Sequence, residues 1–349
     1  MLSLERVIHG PDLPRPLRAA LVVLSIALAW VTFKLIERPL RLGAHGTAKC
    51  IGLILVMAAL GGTGFYVYAH DGMPGYGIRA GDRGSFYDYF ADIPTNRWQV
   101  TFESQFRHEC NFFPKVRKIY HLGQDIDPSC YMPDGLHKNI LFIWGDSHAQ
   151  MLNFGLKNNL PKDWQILQIA SSGCPASVAI QQVSDGYCRD SNALAVKVLR
   201  ETKPSVVIIA QKGGHDVATM RTNAEELKSL GVGRIIFMGP VPQWNEELPK
   251  KIVRRFWPNT PERTFDGIDR PSMLRNSEVK KHFFQMDGVT FVDLVEFFCN
   301  DDGCLTRIGP DKKLDITTWD YGHLTQLTSD YLAKNLLVSA VLSSGVNTR

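Results

Sequence analysis

The sequence lacks several features that mark common classes of protein. It contains no internal repeat and no low-complexity tract, so nothing indicates a repeat architecture. It has no Cys-x-x-Cys and no His-x-x-x-His spacing, and its cysteines and histidines therefore do not indicate a metal site. No basic stretch is interleaved with aromatic residues, which argues against a nucleic-acid partner.

The chain also has little net charge outside its first part. The formal charge is +4, but residues 50–349 hold 32 basic and 32 acidic residues, so the excess lies in the first 49 residues. The remaining part is neutral, and its composition does not indicate an acidic partner. With 349 residues and 44% hydrophobic content, the chain is long enough for one large domain or two smaller ones.

Long apolar runs are confined to the first 70 residues. Leu17–Ile36 and Cys50–Ala69 each have about the 20 residues needed to span a bilayer. A cleaved signal peptide fits poorly, because the two runs occur in tandem and neither ends in a small-residue cleavage pattern. We predict two transmembrane helices; the alternative is a buried hairpin of a soluble domain.

Six of the seven cysteines form three pairs of neighbours in the sequence. The pairs are Cys110 with Cys130, Cys174 with Cys188, and Cys299 with Cys304. Such local pairing predicts disulfides and hence an oxidising compartment. We therefore expect both chain ends outside the cytoplasm and the loop Glu37–Lys49 inside it.

The chain divides into three parts by composition: residues 1–70 as the membrane part, 71–138 as a polar linking region, and 139–349 as a globular domain. In the last part, apolar runs alternate with helix-compatible stretches. The predicted strands are Ile140–Trp144, Trp164–Ala170, Ser205–Ala210, Arg234–Gly239 and Val289–Leu294. The predicted helices are Ala149–Asn158, Ser191–Thr202, Asn223–Leu230, Leu274–Phe284 and Thr328–Leu342. This order predicts a parallel sheet covered by helices on both faces.

Two polar segments of this domain contain candidate catalytic residues. Ser147, in Gly145-Asp-Ser-His148, follows the first strand at a strand-to-helix turn, where hydrolytic enzymes expose a nucleophile. Near the C-terminus, His323 is a candidate general base and Asp320 a candidate partner for its second ring nitrogen. A capping role alone is the simpler interpretation of the first segment.

These two segments resemble the first and last sequence blocks of the SGNH/GDSL hydrolase family. The resemblance implies a three-layer α/β/α fold over about residues 139–345 and a Ser147–His323–Asp320 triad. It also implies an oxyanion hole formed by the amides of Ser147 and Gly173. The family's third block normally supplies an Asn side chain, which this sequence lacks, so Gln211 or His215 is the candidate for the third donor.

A second resemblance concerns the membrane part. Ile36-Glu-Arg-Pro-Leu-Arg41, followed by a further span and a linker, resembles the end of a membrane acyltransferase family 3 domain fused to a periplasmic SGNH domain. It implies O-acetylation of a cell-surface polysaccharide, such as lipopolysaccharide O-antigen, at the bacterial inner membrane. Acetyl-CoA is then the ultimate acyl donor, and no cofactor is bound. A separate upstream membrane half is one candidate partner; the alternatives are a truncated product and a pair of spans that is only an anchor.

Two other functions remain open at this stage. An esterase that removes acetyl groups would use the same triad with water as the acceptor. A non-catalytic remnant that binds glycan or a membrane partner is favoured by the missing Asn. The residues themselves indicate acyl transfer, whereas the polysaccharide is implied by the resemblance.

Overall fold

The computed structural model describes residues 3, 14–42, 46–70, 106–113, 126–184 and 186–343. The chain forms two units. One contains residues 1–92 and 251–258, and the other contains residues 93–250 and 259–349. Most of the predicted linking region 71–138 lies outside the described residues.

The first unit contains two long apolar helices. The first, α1, covers Arg15–Thr32 and continues through a π-helical turn, Phe33–Glu37, to Arg38–Arg41. The second, α2, covers Gly46–Ala69. Their most apolar windows have mean hydropathies of 2.2 and 2.0 and bury no residue. Each helix is long and apolar enough to cross a membrane, and its exposed side chains do not fit the buried hairpin of a soluble core.

The second unit is built on five parallel strands. They are β1 (Asn139–Gly145), β2 (Trp164–Ala170), β3 (Val206–Ala210), β4 (Arg234–Met238) and β6 (Val289–Val292). The label β5 belongs to Arg263–Thr264, a short strand of a second sheet. Their order in the sheet is β2-β1-β3-β4-β6. From β1 the chain first passes to β2 on one side of β1. The next strand, β3, pairs with β1 on its other side, so the direction in which strands are added reverses. This reversal creates a crevice between the carboxyl ends of β1 and β3, where ligands of such sheets bind.

Helices cover both faces of this sheet, which confirms the predicted three-layer α/β fold. The helices are α3 (Ser147–Gln150), α4 (Asn153–Asn159), α5 (Gly186–Thr202), α6 (Val217–Ser229), α7 (Leu248–Lys251), α8 (Arg270–His282), α9 (Leu294–Phe298), and α10 (Gln326–Leu332), which continues through Ala333–Leu337 into α11 (Val338–Leu342). Successive side chains of β1 point to opposite faces. Phe142 packs in the core that contains α5 and α6. Leu141 packs in the core that contains α4 and α10.

The predicted strand Val289–Leu294 is two residues too long. The strand ends at Val292, and Asp293 instead caps α9 by accepting a hydrogen bond from the Glu296 amide at 3.0 Å. A carboxylate at this position satisfies an amide that has no acceptor within the helix. The helix therefore begins where the apolar run alone indicates more strand.

The domain also contains a small antiparallel sheet that was not predicted. Its strands are β5 (Arg263–Thr264), β7 (Cys299–Asn300) and β8 (Gly303–Leu305), in the order β5-β8-β7. The hairpin of β7 and β8 pairs Cys299 with Cys304, and these two cysteines form a disulfide. The structure also contains the disulfides Cys110–Cys130 and Cys174–Cys188.

Part of the predicted linking region belongs to the globular core. Phe106 is fully buried in the same cluster as Leu141, and Cys110 and Cys130 are fully buried in the cluster that contains Phe142. The Phe112 amide donates to Ser171 Oγ at 2.9 Å, beyond the end of β2. The packed domain therefore includes described residues well before Asn139.

Replacing Gly155 with alanine is expected to destabilise the globular unit by about 1–3 kcal/mol or more. Gly155 lies in α4, and a Cβ there would stand 2.0 Å from the backbone oxygen of Ser329 in α10. The two helices would have to separate, which would also lengthen the 3.1 Å hydrogen bond from the Gly155 amide to Ser329 Oγ. Thermal unfolding of the variant measures the loss.

Gly186→Ala is the matched control for this prediction. Among the described residues, only the Arg189 side chain, at 4.0 Å, would approach its new Cβ, so the midpoint of unfolding should stay within about a degree of the wild-type value. Equal midpoints for the two variants would contradict the close contact of α4 and α10.

Candidate active site

The turn after β1 places Ser147 at the carboxyl edge of the sheet. Gly145 ends the strand with a φ of 142°, and a Cβ there would lie 1.9 Å from the carbonyl oxygen of Ala210 at the end of β3. Only glycine allows this close approach. Ser147 then begins α3, so its amide has no acceptor within the helix and the residue lies at the carboxyl end of β1, beside the crevice between β1 and β3.

A continuous chain of hydrogen bonds joins the three predicted catalytic side chains. His323 Nε2 lies 2.7 Å from Ser147 Oγ, and His323 Nδ1 lies 2.6 Å from Asp320 Oδ2. A carboxylate only accepts hydrogen bonds, so Nδ1 carries the proton and Nε2 accepts from the serine hydroxyl. This tautomer leaves Nε2 ready to take the proton of Ser147 Oγ.

The turn before α10 holds Asp320 in position. Its Oδ1 atom accepts hydrogen bonds from the backbone amides of Gly322 at 2.8 Å and His323 at 2.7 Å, while Oδ2 remains for the imidazole. Burial raises the pKa of the Asp320 carboxyl, but hydrogen bonds from His323 and from these amides outweigh it, so the pKa is lowered overall. Asp320 is therefore ionised at neutral pH and fixes the imidazole. The Trp319 ring stacks on His323, with centroids 5.2 Å apart.

Asp146 acts as a helix cap and also joins two strand ends. Its Oδ1 atom accepts from the His148 amide at 2.8 Å, and its Oδ2 atom accepts from the Lys212 amide at 2.9 Å. Lys212 follows β3, so the buried carboxylate ties the nucleophile turn to the neighbouring strand. The segment therefore fits both predicted roles: Asp146 caps the helix, and Ser147 remains available as a nucleophile.

His148 packs directly against the imidazole of His323. The two ring centroids are 4.6 Å apart, and His148 is 2% exposed. Burial lowers the pKa of His148, which keeps this ring neutral beside His323 at neutral pH. Gln243 Nε2 lies 3.5 Å from His148 Nε2, and the Gln243 amide fills the space above Gly322, where a Cβ would stand 2.3 Å from it.

Gly173, the predicted oxyanion residue, lies in a turn after β2. Its φ of 74° is one that glycine adopts readily. Asn111 holds the turn by donating to Ser172 Oγ at 3.0 Å, and the disulfide Cys174–Cys188 ties it to α5. Within the described part of the chain, the Gly173 amide donates no hydrogen bond to the fold, so it is available to an external acceptor.

The two candidates for the third donor both have partners within the fold. Gln211 Nε2 donates to the Gly214 carbonyl at 3.1 Å, while its Oε1 accepts from the Ala176 amide at 3.1 Å. His215 Nε2 lies 3.1 Å from the Met238 carbonyl and donates to it. The Gln211 amide nitrogen carries a second N–H, so Gln211 or His215 stays the predicted third donor beside the amides of Ser147 and Gly173.

Comparison with known proteins identifies the family of this domain. The family model of the SGNH domain fused to AT3 domains matches residues 110–337. The chain belongs to this SGNH domain family. No match is found among curated proteins.

A solved structure has the same fold as the SGNH domain of this chain. It is the periplasmic domain of a lipopolysaccharide acetyltransferase from Salmonella ser. Paratyphi A, with 24% sequence identity and a TM-score of 0.58. The match covers 72% of this chain and 99% of the Salmonella chain. At this level of identity the likeness shows the fold.

The SGNH match begins at residue 110 and therefore includes part of the segment predicted as a linking region. Gln243 and Trp319 are contacts of the site that the sequence did not single out. Gln243 directly follows the Pro240–Pro242 stretch after β4. Its position just beyond the end of a strand is the sequence feature that could have identified it as a site residue. Trp319 directly precedes Asp320, but nothing in the sequence indicates that its ring covers the imidazole.

The stability of the SGNH domain should fall as the pH is lowered from about 6.5 towards 4. Burial lowers the pKa of His215 to about 4, whereas the unfolded chain takes up this proton near pH 6.5. The unfolded state therefore binds more protons in this range, and stability is lost as the pH falls. His148, whose pKa is also lowered by burial, adds to the effect. Urea unfolding at pH 7 and pH 5 measures it.

His215→Gln should reduce this pH dependence. Exposed His282, at the end of α8, provides the control, because His282→Gln removes an imidazole without removing a buried one. A His215→Gln variant with the wild-type difference between pH 7 and pH 5 would contradict the assignment to His215.

Proposed function

We propose that the SGNH domain is an O-acyltransferase that moves an acetyl group to a hydroxyl of a cell-surface polysaccharide. The observation that carries this proposal is the hydrogen-bonded chain from Ser147 through His323 to Asp320, with distances of 2.7 and 2.6 Å. The likeness of its fold to the periplasmic domain of a lipopolysaccharide acetyltransferase supports a glycan acceptor, such as O-antigen.

In the first half of the reaction, Ser147 Oγ attacks the carbonyl carbon of the acyl donor. His323 Nε2 takes the hydroxyl proton, and the ionised Asp320 stabilises the imidazolium. The carbonyl oxygen becomes an oxyanion, for which the amides of Ser147 and Gly173 are the proposed donors. His323 then returns the proton to the leaving group, and an acyl-enzyme ester remains on Ser147.

In the second half, a sugar hydroxyl takes the place of the leaving group. His323 removes its proton, the hydroxyl oxygen attacks the acyl carbon, and the ester bond to Ser147 breaks. Ser147 recovers a proton from His323, and the acylated sugar leaves. The same residues serve both halves, and no bound cofactor is required.

The proposed setting is the bacterial inner membrane, with the SGNH domain in the periplasm. Two apolar helices supply a membrane anchor, and three disulfides fit an oxidising compartment. In this proposal residues 1–70 are the end of an AT3 domain plus an extra span, and the segment that begins at residue 71 links them to the SGNH domain, whose family match begins at residue 110. An AT3 membrane domain would deliver the acetyl group, with acetyl-CoA as the ultimate donor.

Product analysis distinguishes transfer from hydrolysis. The detergent-solubilised full chain is supplied with p-nitrophenyl acetate and a neutral oligosaccharide, and acetylated glycan and free acetate are quantified by mass spectrometry and enzymatic assay. A transferase should form more acetylated glycan than acetate at saturating acceptor. Acetate alone would establish the esterase alternative, and no release of p-nitrophenol would favour a non-catalytic binding module.

A further inference from the structure

A polar cavity of about 450 Å³ adjoins the catalytic turn. Its walls come from Lys212 after β3, from Gln243 and Trp244 after β4, from Tyr321 in the turn before α10, and from the start of α8. The volume lies within the range of about 300–1,000 Å³ that is typical of ligand sites. The cavity lies outside the hydrogen-bonded chain of Ser147, His323 and Asp320.

Three of the lining residues contact the catalytic machinery. The Tyr321 ring lies 5.9 Å from the His323 ring between centroids. The Lys212 amide donates to Asp146, next to the nucleophile, at 2.9 Å. The Gln243 side chain approaches His148, which packs on His323. The Tyr321 ring therefore separates the cavity from the imidazole of His323.

Two side chains in this wall have unused hydrogen-bonding groups. Lys212 Nζ lies 4.0 Å from the centroid of the Tyr321 ring. In the described part of the chain, Lys212 Nζ forms no ion pair or hydrogen bond, and the Tyr321 hydroxyl forms no hydrogen bond. The pair holds itself in place by a cation–π contact while both polar ends stay available. Such groups suit the hydroxyls of a sugar.

The charges of the cavity argue for a neutral ligand. Three basic and three acidic side chains line it: Lys212, Lys250, Arg275, Glu246, Glu247 and Asp269. Lys250 and Glu247 form an ion pair at 2.8 Å. An acyl donor that carries several phosphates would require an excess of positive charge, which is absent from the described lining. A polyhydroxylated neutral acceptor fits this balance.

We infer that this cavity is the acceptor subsite and that it binds a neutral sugar unit of the polysaccharide through Lys212 and Tyr321. The inference rests on the proposed function, because it names the substrate that enters the second half of the reaction. In this inference Lys212 and Tyr321 hold hydroxyls of the bound unit next to the turn that carries His323.

Direct binding tests the subsite independently of catalysis. Saturation-transfer NMR is recorded on the solubilised full chain with the methyl glycosides of glucose, galactose and mannose, and with glucuronate as the anionic comparison. At least one neutral glycoside should receive saturation. The double variant Lys212→Met and Tyr321→Phe should weaken its binding about tenfold, because two hydrogen bonds to the sugar are lost. Stronger binding of glucuronate, or no binding of any neutral glycoside, would overturn the inference.

Acceptor kinetics with p-nitrophenyl acetate provide the second readout. The double variant should raise the KM for the glycoside about tenfold. Its rate of p-nitrophenol release should change by a smaller factor. Lys157→Met is the control, since Lys157 lines a different cavity beside Trp164, at the amino end of β2. An unchanged acceptor KM in the double variant would contradict the subsite, whereas a wild-type chain that binds glycoside but releases no p-nitrophenol would contradict the proposed function instead.

Discussion

Replacing Ser147 with alanine should reduce acyl-enzyme formation by on the order of 10⁵-fold or more, as expected for the nucleophile of a triad that acts as a unit. Ser147 Oγ is the atom that His323 Nε2 contacts at 2.7 Å, and alanine offers no atom to acylate. The fold should persist, because Ser147 is partly exposed and Asp146 caps α3. Intact mass after incubation with a fluorophosphonate probe measures labelling, and p-nitrophenol release measures turnover.

Ser229→Ala is a suitable control, because Ser229 is an exposed serine at the end of α6. The control should be labelled once, and at Ser147. Labelling of the Ser147→Ala variant at another residue, or its retention of polysaccharide acetylation, would contradict the assignment of the nucleophile.

Replacing Asp320 with asparagine should lower kcat by on the order of 10⁴-fold with little change in the fold, by comparison with the same substitution in serine proteases. The oxygen that accepts from the Gly322 and His323 amides is retained. The Oδ2 atom, 2.6 Å from His323 Nδ1, is replaced by a donor. The imidazole then places its proton on Nε2, where it can no longer accept from Ser147.

The kcat for p-nitrophenyl acetate, measured together with the circular dichroism spectrum, tests this prediction. Asp163→Asn is the matched control, because Asp163 is exposed and, among the described residues, its carboxylate accepts a single hydrogen bond, from Asn139 Nδ2 at 2.8 Å. A loss of less than tenfold for Asp320→Asn would show that another group orients His323.

The main sheet could be predicted from the sequence because its strands are buried on both faces. Buried parallel strands are continuous apolar runs, and β2 coincides with the predicted Trp164–Ala170. The helix predicted over Ala149–Asn158 is instead divided into α3 and α4. At the break, the Met151 carbonyl accepts from Ser329 Oγ at 2.6 Å, across 178 residues of chain. No local pattern in the sequence reports such a contact.

The antiparallel strands escaped prediction for a different reason. β5 and β7 have two residues each and β8 has three, which is too short to show a period of two. The strand Arg263–Thr264 forms because it pairs with β8, about 40 residues further along the chain. β8 belongs to a hairpin that the Cys299–Cys304 disulfide crosslinks. Only the folded chain brings these segments together.

From the sequence we could predict the layered α/β fold, the positions of the apolar spans, and Ser147, His323 and Asp320 as candidate catalytic residues. These features depend on apolar runs and short motifs, which are local properties of a chain. The tertiary structure alone decided how the site is supported and bounded. Asp146 meets the Lys212 amide, His148 packs on His323, and Gln243 covers Gly322. The partners in these contacts are far apart in sequence and meet only because the parallel strands end at one edge of the sheet, and the cavity that we assign to the acceptor sugar is formed in the same way.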